Sequence, residues 1–325
     1  MNILKKLALC ISAAAMFVQP MTVSAAVADT TTTGTAPLRV MCLGDSITDG
    51  FWYKGAYRIE LCRLLHENGY SDKVDLVGPF SNGEGLYDPN HTGYTGWAID
   101  PFTPDKNPAM DNRSGISQVV DQNLTDHPAD VVLLQIGTND ILSAYELDSF
   151  ETRMTNLANQ ILGHLDAETG VLYITTLPPM DANDTTYIKP NIFTVEIMDG
   201  YVAQCNQAIK NVVDNLQAQG KNVELADIAS VVTKADLYDG VHPTQAGYEK
   251  MGAYWYEIVK GCVDAKFAPA ETTTTTVAAE SAVADTSTAD DKADDDGGLG
   301  LGAGIAICVV GVVALAAAVI FVKKH

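Results

Sequence analysis

The sequence predicts an α/β fold in which a central parallel sheet is covered on both faces by helices. From Pro37 to about Phe267, short apolar runs alternate with longer amphipathic ones, and strands that are apolar throughout and separated by helices belong to a parallel sheet buried on both sides. In addition, polar motifs recur just after the apolar runs, at the carboxyl edge where open α/β sheets bind ligands.

The elements follow in order. "LRVMCLG" (38–44) reads as the first strand. "AYRIELCRLLHENG" (56–69) puts Ile59, Cys62 and Leu65 on one helical face and ends on Gly69, a favourable stop. "KVDLVG" (73–78) is a second strand, followed by a loop rich in Gly, Asn and Pro through residue 115. The strand "ADVVLLQIG" (129–137), a helix from about Asp148 to Leu165 and the strand "VLYITTLPP" (171–179) come next. A long helix over 195–219, the strand "NVELADI" (222–228) and a last helix "TQAGYEKMGAYWYEIVKG" (244–261) complete the body.

Both ends read as addresses rather than fold. Residues 1–28 carry Lys5 and Lys6, an apolar stretch from Leu7 to Val18 and small residues beyond Pro20, the pattern of a secretory signal and too short for a spanning helix. Leu299 to Val322 is uncharged and is followed by Lys323 and Lys324. That length suits a transmembrane helix with the C-terminus cytoplasmic and the body outside. Between body and anchor, residues 268–298 are rich in Thr, Ala and Asp, a composition expected to stay a flexible tether with a reach of very roughly 30 Å.

The formal charge of −21 has no basic run apart from the termini, which argues against nucleic acid, whose phosphates need Lys and Arg. Cys42, Cys62, Cys205 and Cys262 remain in the body. Their apolar neighbours favour buried free thiols, an exported domain also permits a disulfide in any of three pairings, and the spacing speaks against a metal site. "DANDTTY" from Asp181 could hold a cation, but it matches no EF-hand spacing and reads more simply as a solvated turn.

Ester cleavage requires a nucleophile, a base, a group that orients the base, and donors for the oxyanion. Ser46 in "GDSITDG" is a candidate nucleophile, or a cap for the next helix. In "YDGVHPT", Asp239 and His242 are three residues apart on one loop, so the carboxylate can hold the imidazole in one tautomer; alternatively His242 only opens a helix before Pro243. Asn139 in "IGTND" can aim its amide into a site at a strand end, although Asn139 or Asp140 could equally cap a helix. Gly96 in "HTGYTGWAID" can bring a backbone N–H close to a carbonyl, with Gly93 as its rival.

These blocks, "GDSIT", "GYTGW", "GTND" and "DGVHPT", stand in the order of the four blocks of the SGNH hydrolase (GDSL-type esterase) family, which the chain resembles over residues 37–265. The resemblance implies a flavodoxin-like three-layer α/β/α fold and a serine esterase needing no cofactor. It further implies Ser46 as nucleophile, Asp239 and His242 as the acid–base pair, and Ser46, Gly96 and Asn139 as the oxyanion hole. Within the family it is most similar to esterases that deacetylate xylan, although its second block reads "HTGYTGW" where those often read His-Glu-Gly-His-Ser-Gly-Trp.

Phe51, Trp52, Tyr53, Tyr94 and Trp97 lie near the motifs. Of these, Trp52, Tyr94 and Trp97 are the candidates for stacking on sugar, with core packing as the alternative use. The expected substrate is an acetylated polysaccharide or oligosaccharide, ahead of lipid or small esters. A silent surface carbohydrate-binding or adhesion protein is the competing class, but it has no need of Ser46, Asn139, Asp239 and His242 together.

Overall fold

The computed structural model describes residues 36–103 and 112–268. The expected signal (1–28), the membrane helix (299–322) and all of the tether beyond Ala268 lie outside the described residues. Among the described residues, no helix is long and apolar enough to cross a membrane.

In chain order, the elements are β1 (Leu38–Gly44), α1 (Ser46–Asp49), α2 (Arg58–Glu67), β2 (Val74–Val77), β3 (Phe80–Ser81), β4 (Asn90–Gly93), α3 (Val120–Asp126), β5 (Val131–Gln135), α4 (Thr138–Leu142), α5 (Phe150–Leu162), β6 (Val171–Thr175), α6 (Val195–Ala218), β7 (Val223–Ala226) and α7 (Gln245–Lys266). β1 pairs in parallel with β5 on one side. On its other side it pairs with β2 along Leu38–Met41 and with β4 at Leu43 and Gly44. β5, β6 and β7 continue the sheet in parallel, and β3 closes the edge antiparallel to β4.

Alternation along the buried strands builds two cores, one on each face of the sheet. Met41, Leu43, Val132, Leu134, Leu172 and Ile174 pack with α3, α5 and α6. Val40, Cys42, Val131, Leu133 and Val171 pack with α2 and α7. The three layers are therefore helix, sheet and helix. α2 and α7 meet at Gly252, where a Cβ would lie 2.5 Å from the Tyr57 carbonyl oxygen, so the close crossing depends on a missing side chain.

The loop expected through residue 115 contains β3 and β4. The sequence "NHTG" of β4 has no strand periodicity, and its pairing comes from the free upper edge of β1 rather than from propensity. α7 runs past Gly261 to Lys266 because Val263 is buried in the core and Lys266 reaches Asp130 at 2.9 Å. Cys42, Cys62, Cys205 and Cys262 are all free thiols. Burial pushes Cys42 up to about 11 and Cys62 and Cys205 up to about 12, so they serve as small apolar packing groups.

Candidate active site

Three carboxyl-edge segments converge. β1 runs into a tight turn where Asp45, fully buried, caps α1 by accepting the Ile47 N–H at 2.9 Å. Ser46 is therefore the first residue of α1, its hydroxyl facing the loop before α7. A buried clamp holds this short helix: Arg58 donates to the Thr48 carbonyl and, at 2.6 Å, to Asn82 Oδ1. Asn82 in turn donates to the Asp49 carbonyl at 3.0 Å and to Asp49 Oδ1 at 2.8 Å. Burial pushes the Asp45 carboxyl up to about 6, against the Ile47 N–H bond.

His242 Nε2 lies 2.9 Å from Ser46 Oγ, and His242 Nδ1 lies 2.8 Å from Asp239 Oδ2. All three residues are buried. Asp239 Oδ1 also accepts the N–H groups of Val241 at 3.1 Å and His242 at 2.7 Å, so the carboxylate shapes its own loop while orienting the ring. Burial alone would raise this carboxyl, but the bonds from His242 outweigh it and hold Asp239 below its ordinary range. An ionised Asp239 keeps the proton on Nδ1 and leaves Nε2 free to accept from the serine.

Asn139 and Gly96 border the same cleft as Ser46 and His242, a space of about 470 Å³. Asn139 does not cap α4, and neither does Asp140, because this helix has no side-chain cap. Instead the Asn139 amide donates to the Trp97 carbonyl at 2.8 Å, which uses one N–H and fixes the direction of the other. Asp140 is the strut beneath: it accepts from Arg153 and, at 3.2 Å, from the Ile99 N–H, tying the Gly96 segment to α4 and α5. Gly96 has φ +81°, a left-handed conformation that glycine adopts without strain, and its carbonyl accepts from Arg113 at 3.1 Å. Gly93, its rival, is enclosed by α1, a Cβ there falling 2.4 Å from the Asp49 nitrogen.

The aromatic candidates are placed differently from the expectation. Trp52 lies outside the cleft lining, with its indole N–H donating to the Pro243 carbonyl at 3.0 Å. Tyr94 and Trp97 line a neighbouring pocket that shares Thr95 with the cleft, and the Tyr94 hydroxyl is engaged with Asn123. The rings that do border His242 are Phe51, stacked on it at 5.3 Å, and Tyr187, edge-on at 5.2 Å. Tyr187 belongs to the Asp181 turn, whose carboxylate accepts from Asn183; no sequence signal linked that turn to the site. Nor did any signal point to Asn82 as the partner of Arg58 in the clamp on α1.

A parallel sheet delivering a hydrogen-bonded Ser–His–Asp relay to its carboxyl edge defines a serine hydrolase of the three-layer α/β/α class. The sequence profile of the GDSL-like lipase/acylhydrolase family matches residues 40–255; the chain belongs to this family and has its SGNH hydrolase fold, and the matched region is a carboxylic ester hydrolase domain. The chain is 36% identical over 247 residues to a multidomain esterase of Ruminococcus flavefaciens, covering 72% of this chain and 30% of that protein. It is 27% identical over 150 residues to a putative endoglucanase X of Acetivibrio thermocellus, covering 44% of this chain and 55% of that one. The chain thus spans only about a third to a half of these relatives. Among solved structures, a Clostridium thermocellum family 3 carbohydrate esterase superposes with a TM-score of 0.54 at 28% identity, covering 71% of this chain and 98% of that one. A family 3 carbohydrate esterase of Talaromyces cellulolyticus shares the fold, with a TM-score of 0.53 at 20% identity over 70% of this chain and 99% of that one.

Proposed function

We propose that this protein is a serine esterase that removes O-acetyl groups from a xylan-like polysaccharide, acting outside the cell on a tether anchored by a C-terminal membrane helix. The observation that carries the catalytic part is the unbroken relay from Asp239 through His242 to Ser46 beside Asn139 and Gly96. Action on a carbohydrate ester is supported by the likeness to the Clostridium thermocellum family 3 carbohydrate esterase, and acetyl as the acyl group by the resemblance of the "GDSITDG" and "GYTGW" blocks to xylan-deacetylating esterases. The signal-like N-terminus and the uncharged run from Leu299 to Val322 support export and anchoring.

In this mechanism Ser46 Oγ attacks the ester carbonyl while His242 Nε2 takes the hydroxyl proton. Asp239 stabilises the resulting imidazolium, and the oxyanion is met by the N–H groups of Ser46 and Gly96 and by the Asn139 amide. As the tetrahedral species collapses, the bond from the acyl carbon to the sugar oxygen breaks and His242 Nε2 gives its proton to that oxygen, which leaves as a hydroxyl. A water then attacks acetyl-Ser46 with His242 as base, giving acetate and regenerating the serine.

The test is acetate release from acetylated xylan by the purified protein beside its Ser46→Ala variant. Release that vanishes in the variant is the expected result. Equal release by both would remove Ser46 from the mechanism. Cleavage of p-nitrophenyl acetate without release from xylan would keep the esterase and replace the substrate, and cleavage of neither would bring the silent binding protein forward.

A further inference from the structure

Of the six large hydrophobic side chains exposed among the described residues, Phe51 and Tyr187 line the cleft beside His242, and Tyr238 lies on the loop that carries His242. Phe51 and Tyr187 touch His242 and belong to the cleft itself. Tyr238 is different: it is 60% exposed, is the residue before Asp239, and does not line the cleft. It is nevertheless held firmly. Its ring lies on Trp52 at 4.3 Å and 18°, Trp52 meets Tyr53 at 5.4 Å, and Tyr53 stacks at 6.0 Å on the fully buried Tyr248. The backbone is pinned as well, because the Tyr238 N–H donates to the His242 carbonyl at 2.7 Å while Trp52 bonds to Pro243.

A large aromatic ring left open to water but fixed in place by a column of rings is pre-organised for a flat apolar partner. The entropy of ordering such a side chain on binding is already spent by the fold. The C–H-bearing face of a pyranose is such a partner, since its weakly positive hydrogens suit the negative face of an aromatic ring. The platform adjoins the catalytic loop, so the sugar most readily brought to it is a neighbour of the one whose ester enters the cleft.

We propose that Tyr238, braced by Trp52, is a sugar-binding subsite for a residue flanking the acetylated one, making the enzyme selective for oligomeric over monomeric acetylated glycans. This rests on the acetylated-glycan reading above. No part of the chemistry passes through Tyr238; its contribution is to affinity and to the register of the chain over Ser46.

The experiment measures kcat/KM for acetate release from acetylated xylose and from acetylated xylo-oligosaccharides of increasing length, divided for each protein by its own kcat/KM on p-nitrophenyl acetate. The proteins are the full chain, Tyr238→Ala and Tyr238→Trp. The expected result is a ratio that climbs with chain length in the unmodified protein, falls about tenfold on the longer chains in Tyr238→Ala through a higher KM, and recovers in Tyr238→Trp; tenfold corresponds to ~1.4 kcal/mol. A ratio independent of chain length, or one unchanged by Tyr238→Ala, overturns the subsite while leaving the deacetylase standing. Hydrolysis of p-nitrophenyl acetate with no acetate from any glycan overturns both.

Discussion

Replacing Asp239 by Asn separates the two tasks of this carboxylate. Asn retains Oδ1, so the Val241 and His242 N–H groups at 3.1 and 2.7 Å keep their acceptor and the loop keeps its shape. The new amide nitrogen takes the place of Oδ2, 2.8 Å from His242 Nδ1, and as a donor it forces Nδ1 to accept. The ring proton then moves to Nε2 and points at Ser46 Oγ, where the base must be bare. The amide could escape by flipping, but that would leave two buried N–H groups without an acceptor, each at a cost of about 1–3 kcal/mol. A penalty of about 2–6 kcal/mol lowers kcat roughly 30- to 3 × 10⁴-fold, a range that includes the loss of ~10⁴ known for the same change in a protease triad. The assay is kcat on p-nitrophenyl acetate, with thermal unfolding followed by circular dichroism as control. The melting temperature is expected to move by a few degrees at most, on the scale of about 1 kcal/mol. A folded variant retaining more than a tenth of the parent kcat would refute the tautomer argument.

Asn139→Ala removes the proposed oxyanion donor and the bond to the Trp97 carbonyl; kcat should fall about 10²- to 10³-fold with KM little changed, and a loss confined to KM would contradict the assignment. His91 offers a test by pH. It is buried, its Nε2 makes no hydrogen bond and lies 3.8 Å from Asp49 Oδ1, and burial, with Arg58 and Lys54 adding to it and Asp49 opposing, lowers its pKa from 6.5 to about 3. A base depressed in the folded state contributes stability that is fully present above pH 6.5 and is lost as the pH falls toward about 3, by about 1.4 kcal/mol per pH unit. His91→Asn, which can still accept the Gly93 N–H, should flatten the fall in urea-unfolding free energy between pH 6 and 4, and parallel curves for the two proteins would exclude His91 as its source.

The periodic parts of the chain were legible because each was dictated by its own residues. β1, β5 and β6 are apolar at nearly every position and appear where the runs occur, and α2 and α6 follow their amphipathic spacing. The motif residues were legible by residue type and by their place at strand ends, and the structure brings Ser46, Asn139, Asp239, His242 and Gly96 around one cleft. β4 was not legible, because the partner that makes "NHTG" a strand lies in β1. The C-terminal turn of α7 was hidden in the same way, since Gly261 reads as a stop until Val263 is seen in the core.

By itself, the sequence determined the layering of this protein and the chemical groups of its site, because apolar periodicity and residue type are properties of local segments. Only the tertiary structure decided which aromatic rings border the cleft beside His242. Trp52 and Tyr238 are 186 positions apart and stack, while Tyr94 and Trp97 turn to a neighbouring pocket. Ring orientation depends on contacts between distant segments, and those contacts exist only once the sheet has brought the loops together.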